Sequence, residues 1–406
     1  MEYPVVVTIN RVQEKSLEFP AISICNLNRM KQDESGTNID FHETYQTGTP
    51  LILTERTQYS QCKKDQNSTT MSDDDISVST MKSLKEYYET AEAKRFVMGR
   101  KLSDFMKECL FNGKLCPKNS LSNLFSLRYG YCFTFNKKTQ DLRPLYVSQT
   151  GVGTGLSIKL NLDTLHYMKI SHTRGAIMVI HNPRDPANPE EDGYILSPGF
   201  ENSVSIKHIM VHRLPAPFKD HCMDYKRKPL MASKNDCIRT CIQEHNFAKC
   251  HCIDPTLSIP SPLRLCNLLN KTEMCCLDDV LKDLTESGPI CDCPLPCVST
   301  YYDAKLSRAL LSKALMKSWR EEMYYARSGG FKGYMEENLR LNVFYEDLGR
   351  MVYEQRPKFE GTEFLSYLGN QLGIWLGLSV VAAFELLEKF ALLSKHIRMK
   401  YFALQK

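Results

Sequence analysis

Two hydrophobic periods alternate along this chain before it reaches its longest uncharged apolar stretch, FLSYLGNQLGIWLGLSVVAAF at 364–384. Runs of β-branched residues or strict alternation predict strands at 4–12 (PVVVTINRV), 156–162 (LSIKLNL), 175–181 (GAIMVIH), in VSIKHIMVHRLPAPF up to Phe218, and at 339–355. Apolar residues spaced by three and four predict helix from Met81 to Leu110, through Leu84, Tyr87, Tyr88, Ala91, Met98, Leu102, Phe105 and Met106. The chain also reads as helical from Tyr301 to about Arg327, where SGGFKG breaks it. Residues 31–80 are polar and without sustained period, as in a solvated loop or insertion.

The stretch 364–384 has about the length needed to cross a hydrocarbon core of about 30 Å. Gly369, Gly373 and Gly377 recur every fourth residue, and Ser366, Asn370, Gln371 and Ser379 interrupt the apolar surface. Glycines at that spacing suit a single-pass anchor with a small-residue seam. Asn and Gln inside a span favour the other reading, helices of an oligomer gathered around a polar interior. Glu385 and Glu388 follow on one helical face, where symmetry would assemble an acidic ring that concentrates cations. The span with its continuation covers 363–394, and the basic tail 395–406 places the C-terminus in the cytoplasm.

Composition sharpens this picture. All 16 cysteines lie within residues 1–362, which reads as disulfide bonding in an oxidising, extracellular compartment. Zinc is the competing use, since Cys-x-Cys pairs stand near His245 and His251, but so many cysteines in an extracellular region favour disulfides and no metal. The sequons at Asn67 and Asn270 agree with glycosylation there. The net charge of +5 owes much to the tail, so nucleic acid is not an expected partner. No nucleophile, paired carboxylates or phosphate loop stands in a catalytic context, so neither enzyme activity nor a cofactor is expected. The chain opens MEYPVVVTIN without an export signal, from which an N-terminal export element ahead of Met1 is expected.

Several motifs carry a family resemblance. EFPAISICN at 18–26, YGYCFTFN at 129–136, SPGF at 197–200, LPAPF at 214–218 and the block Cys237-x3-Cys241-x8-Cys250-x-Cys252 with Cys291-x-Cys293-Pro-Leu-Pro-Cys297 resemble, in order, motifs of the degenerin/epithelial sodium channel family, which includes acid-sensing and FMRFamide-gated channels. The resemblance covers nearly the whole chain. It implies an α+β disulfide-rich extracellular domain of palm, β-ball, finger, knuckle and thumb over 1–362, plus a transmembrane helix, with the first transmembrane helix preceding Met1. Within it the finger helices would occupy 81–118, the thumb 222–297 and the last palm strand 339–355. It further implies the pairs Cys25 with Cys132, Cys109 with Cys116, Cys222 with Cys297, Cys237 with Cys293, Cys241 with Cys291, Cys250 with Cys276 and Cys252 with Cys266. Parity then leaves Cys62 and Cys275 as an extra pair, with the choice between Cys275 and Cys276 open.

The resemblance also implies a function: a subunit of a trimeric, homomeric or heteromeric, sodium-selective and amiloride-sensitive channel in the plasma membrane, multi-pass in the full-length protein, with Na⁺ as permeant ion. Gly377, Leu378 and Ser379 would form the selectivity filter, where backbone carbonyls and hydroxyls replace part of the ion's water shell. Gly373 falls at the family's amiloride contact and Ser366 at its degenerin position. Tyr3 and Phe218 would couple ectodomain to pore, and Glu346 would lie buried near the three-fold axis. For gating, Val5 follows Tyr3-Pro4 where acid-sensing relatives carry His. An FMRFamide-like cationic peptide is therefore the expected stimulus, drawn to acidic clusters at Asp185, Glu190, Glu191, Asp192 and at Asp278, Asp279, Asp283, with pockets from Tyr87, Tyr88, Phe96 and Phe105. Proton sharing between those clusters would give acid gating instead. Mechanical gating, and a non-conducting receptor or auxiliary subunit on a passive anchor, are the remaining alternatives.

Overall fold

The computed structural model describes residues 3–31, 87–126, 128–138, 144–167, 173–225, 233–257, 262–286, 291–312, 330–358, 361–376 and 379–403. In chain order the elements are β1 (Val5–Gln13), β2 (Leu17–Glu18), β3 (Ala21–Asn26), α1 (Glu92–Met98), α2 (Leu102–Phe105), β4 (Met106–Phe111), β5 (Lys114–Leu115), β6 (Leu121–Ser126), β7 (Gly130–Phe135) and β8 (Tyr146–Val147). Then follow β9 (Leu156–Asn161), β10 (Ala176–His181), β11 (Gly193–Leu196), β12 (Phe200–His212), α3 (Lys234–Cys250), α4 (Lys271–Glu286), β13 (Val298–Leu310), α5 (Phe331–Glu337), β14 (Asn338–Pro357), α6 (Gly361–Leu376) and α7 (Val380–Ala403). The chain forms two compact units, one of residues 9–213 and 222–354, the other of 1–8, 214–221 and 355–406.

The larger unit is built on a mixed seven-stranded sheet in the order β13-β12-β14-β9-β4-β5, with β1 also paired to β14, and a five-stranded sheet in the order β11-β10-β3-β7-β6. β12 runs parallel to β14 and antiparallel to β13. Alternation decides the inward faces: Leu156, Ile158 and Leu160 of β9 are buried while the residues between them are half-buried. All six residues of β3 are buried, because this strand lies inside its sheet with both faces covered. Phe19, fully buried, stands with its ring edge-on to Phe111 of β4 at 5.2 Å and to Phe135 of β7 at 6.2 Å, so that one aromatic joins strands from both sheets. Burying such a ring contributes about 2 to 3 kcal/mol.

Two helical expectations fail in part, over the described residues. The pattern over 81–110 is helical only in part: α1 and α2 are short, and from Met106 the chain is strand, paired through Cys109 to Ile158 of β9. The stretch after Tyr301 is also strand, since β13 pairs with β12 from Val298 to Leu310. In both places a long ladder overrides the intrinsic preference of Ala, Leu, Lys and Arg. Residues 32–86 and 313–329 of these stretches lie outside those described.

The cysteine-rich block forms α3 and α4. Ser233 caps α3, accepting the Asp236 N–H at 3.1 Å, and His251 ends it in the left-handed region at φ 58°. Disulfides join Cys237 to Cys293 and Cys241 to Cys291 along one face of α3, Cys250 to Cys276 between α3 and α4, Cys252 to Cys266, and Cys222 to Cys297. Outside the block, Cys25 and Cys132 face each other directly across β3 and β7, and Cys109 bonds Cys116 around the β4–β5 turn. Cys275 is disulfide-bonded as well, and Cys62 lies outside the described residues.

Candidate functional site

The apolar stretch 364–384 is not one helix. α6 ends at Leu376 and α7 begins at Val380. Ser379 caps the second helix: its Oγ accepts the Ala382 N–H at 3.1 Å and its carbonyl accepts the Ala383 N–H at 3.1 Å. A side-chain cap is what a helix needs when its first N–H groups have no preceding turn. Among the described residues no helix is long and apolar enough to cross a membrane. Gly377 and Leu378 lie outside the described residues.

On α6, Ser366, Gly369 and Gly373 follow at spacings of three and four and so share one exposed face. A Cβ at Gly369 would meet no atom within 4 Å. Gln371 accepts a hydrogen bond from Trp375 Nε1 at 2.9 Å, so its amide finds a partner one turn along its own helix. That residue therefore gives less weight to a polar oligomer interior than its sequence position suggests. Glu385 and Glu388 lie exposed on α7, again one turn apart.

In the same unit the chain's first described residues meet the turn 214–221. The rings of Tyr3 and Phe218 stand edge-on with centroids 6.0 Å apart. The turn is braced from inside, with Phe218 N–H donating to the Pro215 carbonyl at 3.2 Å and His221 N–H to the Phe218 carbonyl at 3.0 Å. Pro215 and Pro217 fix φ and supply no N–H, so few conformations compete. Lys358 N–H donates to the Pro4 carbonyl at 2.9 Å, joining the N-terminal residues to the segment that enters α6.

The larger unit corrects several expectations. Within the single chain Glu346 of β14 stands exposed beside Lys207 at 3.4 Å and Lys305 at 3.2 Å; the hydrogen bond from Lys305 leads the effects that pull its carboxyl below the usual range. Tyr87 and Tyr88 are buried with Met30, Leu268 and Leu277, and Phe105 is buried against Phe133 of β7, so these three rings belong to the core rather than to the surface. Phe96 is exposed and packs on Tyr131 at 4.8 Å. One member of each acidic cluster pairs with a cation of α3: Glu191 meets Arg239 at 3.0 Å and Asp283 meets Lys249 at 2.8 Å. The hydrogen bond from Lys249 lowers the Asp283 carboxyl, whereas burial, then Glu191, raises that of Asp192.

The cysteines nearest a metal-like arrangement are bonded to each other. Cys252, Cys266 and Glu273 place their ligand atoms within 4.8 Å of one another, but the two sulfurs are bonded together. The Glu273 carboxylate accepts the Asn267 N–H at 2.6 Å and pairs with Arg264 at 3.2 Å. His245 Nδ1 lies 2.9 Å from the Cys241 carbonyl.

Sequence reasoning missed a partly buried polar network. Arg100 binds Asp163 through Oδ2 at 2.6 Å and its carbonyl at 2.9 Å, and His166 engages the other carboxylate oxygen. The Asp-x-x-His spacing was the only local signal, since Arg100 comes from a distant part of the chain.

Comparison with known proteins places these features. A profile of the amiloride-sensitive sodium channel family matches residues 1–388. Acid-sensing ion channel 1A of Danio rerio is 28% identical over 415 residues, covering 96% of this chain and 77% of that protein. Acid-sensing ion channel 1 of Gallus gallus is 27% identical over 417 residues, covering 97% and 74%. Degenerin mec-10 of Caenorhabditis elegans is 29% identical over 309 residues, covering 73% and 42%. With a match that runs from the first strand through the interrupted apolar helices, this chain belongs to the amiloride-sensitive sodium channel family.

Proposed function

We propose that the chain is a subunit of a trimeric, sodium-selective, amiloride-sensitive channel of the plasma membrane, with α6, α7 and the residues between them crossing the bilayer. The capped interruption at Ser379, inside the family match, carries this reading. Non-helical backbone at membrane depth is tolerated where it lines a water-filled path, and there its carbonyls and hydroxyls can replace part of an ion's hydration. Gly377, Leu378 and Ser379 form the filter in this proposal, Ser366, Gly369 and Gly373 the wall above it, and Glu385 with Glu388 the acidic ring below.

The opening stimulus in this proposal is an FMRFamide-like peptide. Two observations support it over protons: Val5 has no titratable side chain, and Glu191 and Asp283 are each engaged by a cation of α3. Acid is the second reading, favoured by the names of the two acid-sensing relatives. Recording from the completed chain under voltage clamp, with FMRFamide-like peptides and external acid perfused separately, tests both. Peptide-evoked, amiloride-blocked current is expected; acid-evoked current with none from peptides would overturn the peptide reading.

A further inference from the structure

One side chain closes the 214–221 turn from outside. Gln355, the third-last residue of β14, accepts the Leu214 N–H on Oε1 at 3.0 Å and donates from Nε2 to Asp220 Oδ2 at 2.5 Å. Its orientation follows from its partners, since a backbone N–H can only donate and a carboxylate can only accept. The turn's internal bonds, Phe218 to Pro215 and His221 to Phe218, leave its two ends to be held by something else. Gln355 holds both, within the unit that also carries the Tyr3–Phe218 contact.

We propose that Gln355 is a positioning residue for gating, its amide clamping the turn to the strand that leads into α6 and so holding the Phe218 ring against Tyr3. This rests on the channel reading for its functional meaning, although the clamp itself does not. The chemistry is specific to an amide. A Glu here still accepts from Leu214 but faces Asp220 with a like charge, and a Met offers neither bond. Replacing Asp220 by Asn in the Glu variant restores the pair, because the Asn amide then donates to the new carboxylate.

The test uses the full-length protein as wild type, Gln355→Glu, and Gln355→Glu with Asp220→Asn. Hydrogen exchange of the peptide covering 214–221 reads the clamp, and amiloride-blockable current reads gating. Gln355→Glu is expected to raise exchange across the peptide 214–221 about tenfold at neutral pH, because repulsion between the new carboxylate and Asp220 opens the clamp, and the second substitution to reverse it. Activation is expected to shift and return in the same order, with unitary conductance constant. Unchanged exchange, or a change that Asp220→Asn leaves in place, overturns the clamp. Wild-type current with Gln355→Glu activation unaltered overturns its gating role, whereas the expected exchange pattern with no current from wild type overturns the channel reading instead.

Discussion

Arg100 and Asp163 form a two-point clasp in which the guanidinium, only 5% exposed, reaches both the carboxylate and the backbone carbonyl of one residue. Asp163 stands in the left-handed region at φ 51°, a conformation that Asp tolerates better than most residues. Burial pushes its carboxyl up, yet the bonds from His166 and Arg100 outweigh this and hold it below the usual range. Arg100→Met leaves a part-buried carboxylate without its cation and is expected to cost about 3 kcal/mol, with part recovered by adding Asp163→Asn. Thermal unfolding of the purified variants checks this, and an unshifted midpoint for Arg100→Met would contradict it.

His181 sets an acid limit on the fold. Its Nε2 lies 2.9 Å from Ser23 Oγ, and Nδ1 faces the carbonyls of Asn182 and Asp185 at 3.1 and 3.0 Å, so the neutral ring donates from Nδ1 and accepts at Nε2. Burial is the main cause that pushes its pKa down to about 4 from 6.5, against those carbonyl bonds and with help from Lys137. Between these two values the unfolded chain binds a proton that the folded one does not. Stability is therefore complete above pH 6.5 and falls toward pH 4 by up to about 3 kcal/mol. His181→Gln is expected to flatten the stability profile over that window, and a profile as steep as wild type would contradict the assignment.

Asn270 is exposed at the N-terminus of α4, where its Oδ1 accepts the Thr272 N–H at 3.0 Å. A glycan on Nδ2 would leave that cap in place. Enzymatic deglycosylation is expected to shift wild-type mobility by one step more than Asn270→Asp, which keeps the cap, and Thr272→Ser is expected to retain the step while Thr272→Ala loses it. Equal shifts for wild type and Asn270→Asp would mean that the site is not used. Asn67 lies outside the described residues.

The Tyr3–Phe218 contact predicts a gating effect without a permeation effect. Phe218→Ala removes an aromatic pair worth about 1 kcal/mol. Activation is expected to shift by about fivefold in stimulus concentration at constant unitary conductance. A change in conductance with activation preserved would relocate Phe218 to the ion path.

Much of the larger unit was legible because its signals are local. The alternation of Leu156, Ile158 and Leu160 marks a strand without any knowledge of its partners, and in the smaller unit Tyr3 and Phe218 stand in motifs of recognisable spacing. The misreadings share a cause. Leu102, Phe105 and Met106 satisfy a helical period, but from Met106 onward the chain answers to β9, which lies far along the sequence. β13 is rich in residues that suit a helix and is held extended by its ladder with β12. Aromatics at the finger looked available for a ligand because composition does not reveal burial; Tyr87 and Phe105 are each only 1% exposed. Gln355 and Arg100 carried no signal, since a hydrogen bond between distant segments leaves no period and no motif.

The most direct test of the central claim is sodium current through the interruption between α6 and α7. With the full-length chain expressed alone or with family subunits, the account predicts an amiloride-blocked current whose reversal potential follows the sodium gradient, and which a thiol reagent blocks in Ser379→Cys but not in wild type. Absence of amiloride-blocked current in every combination, or Ser379→Cys current with unchanged reversal potential and no response to the reagent, would contradict it.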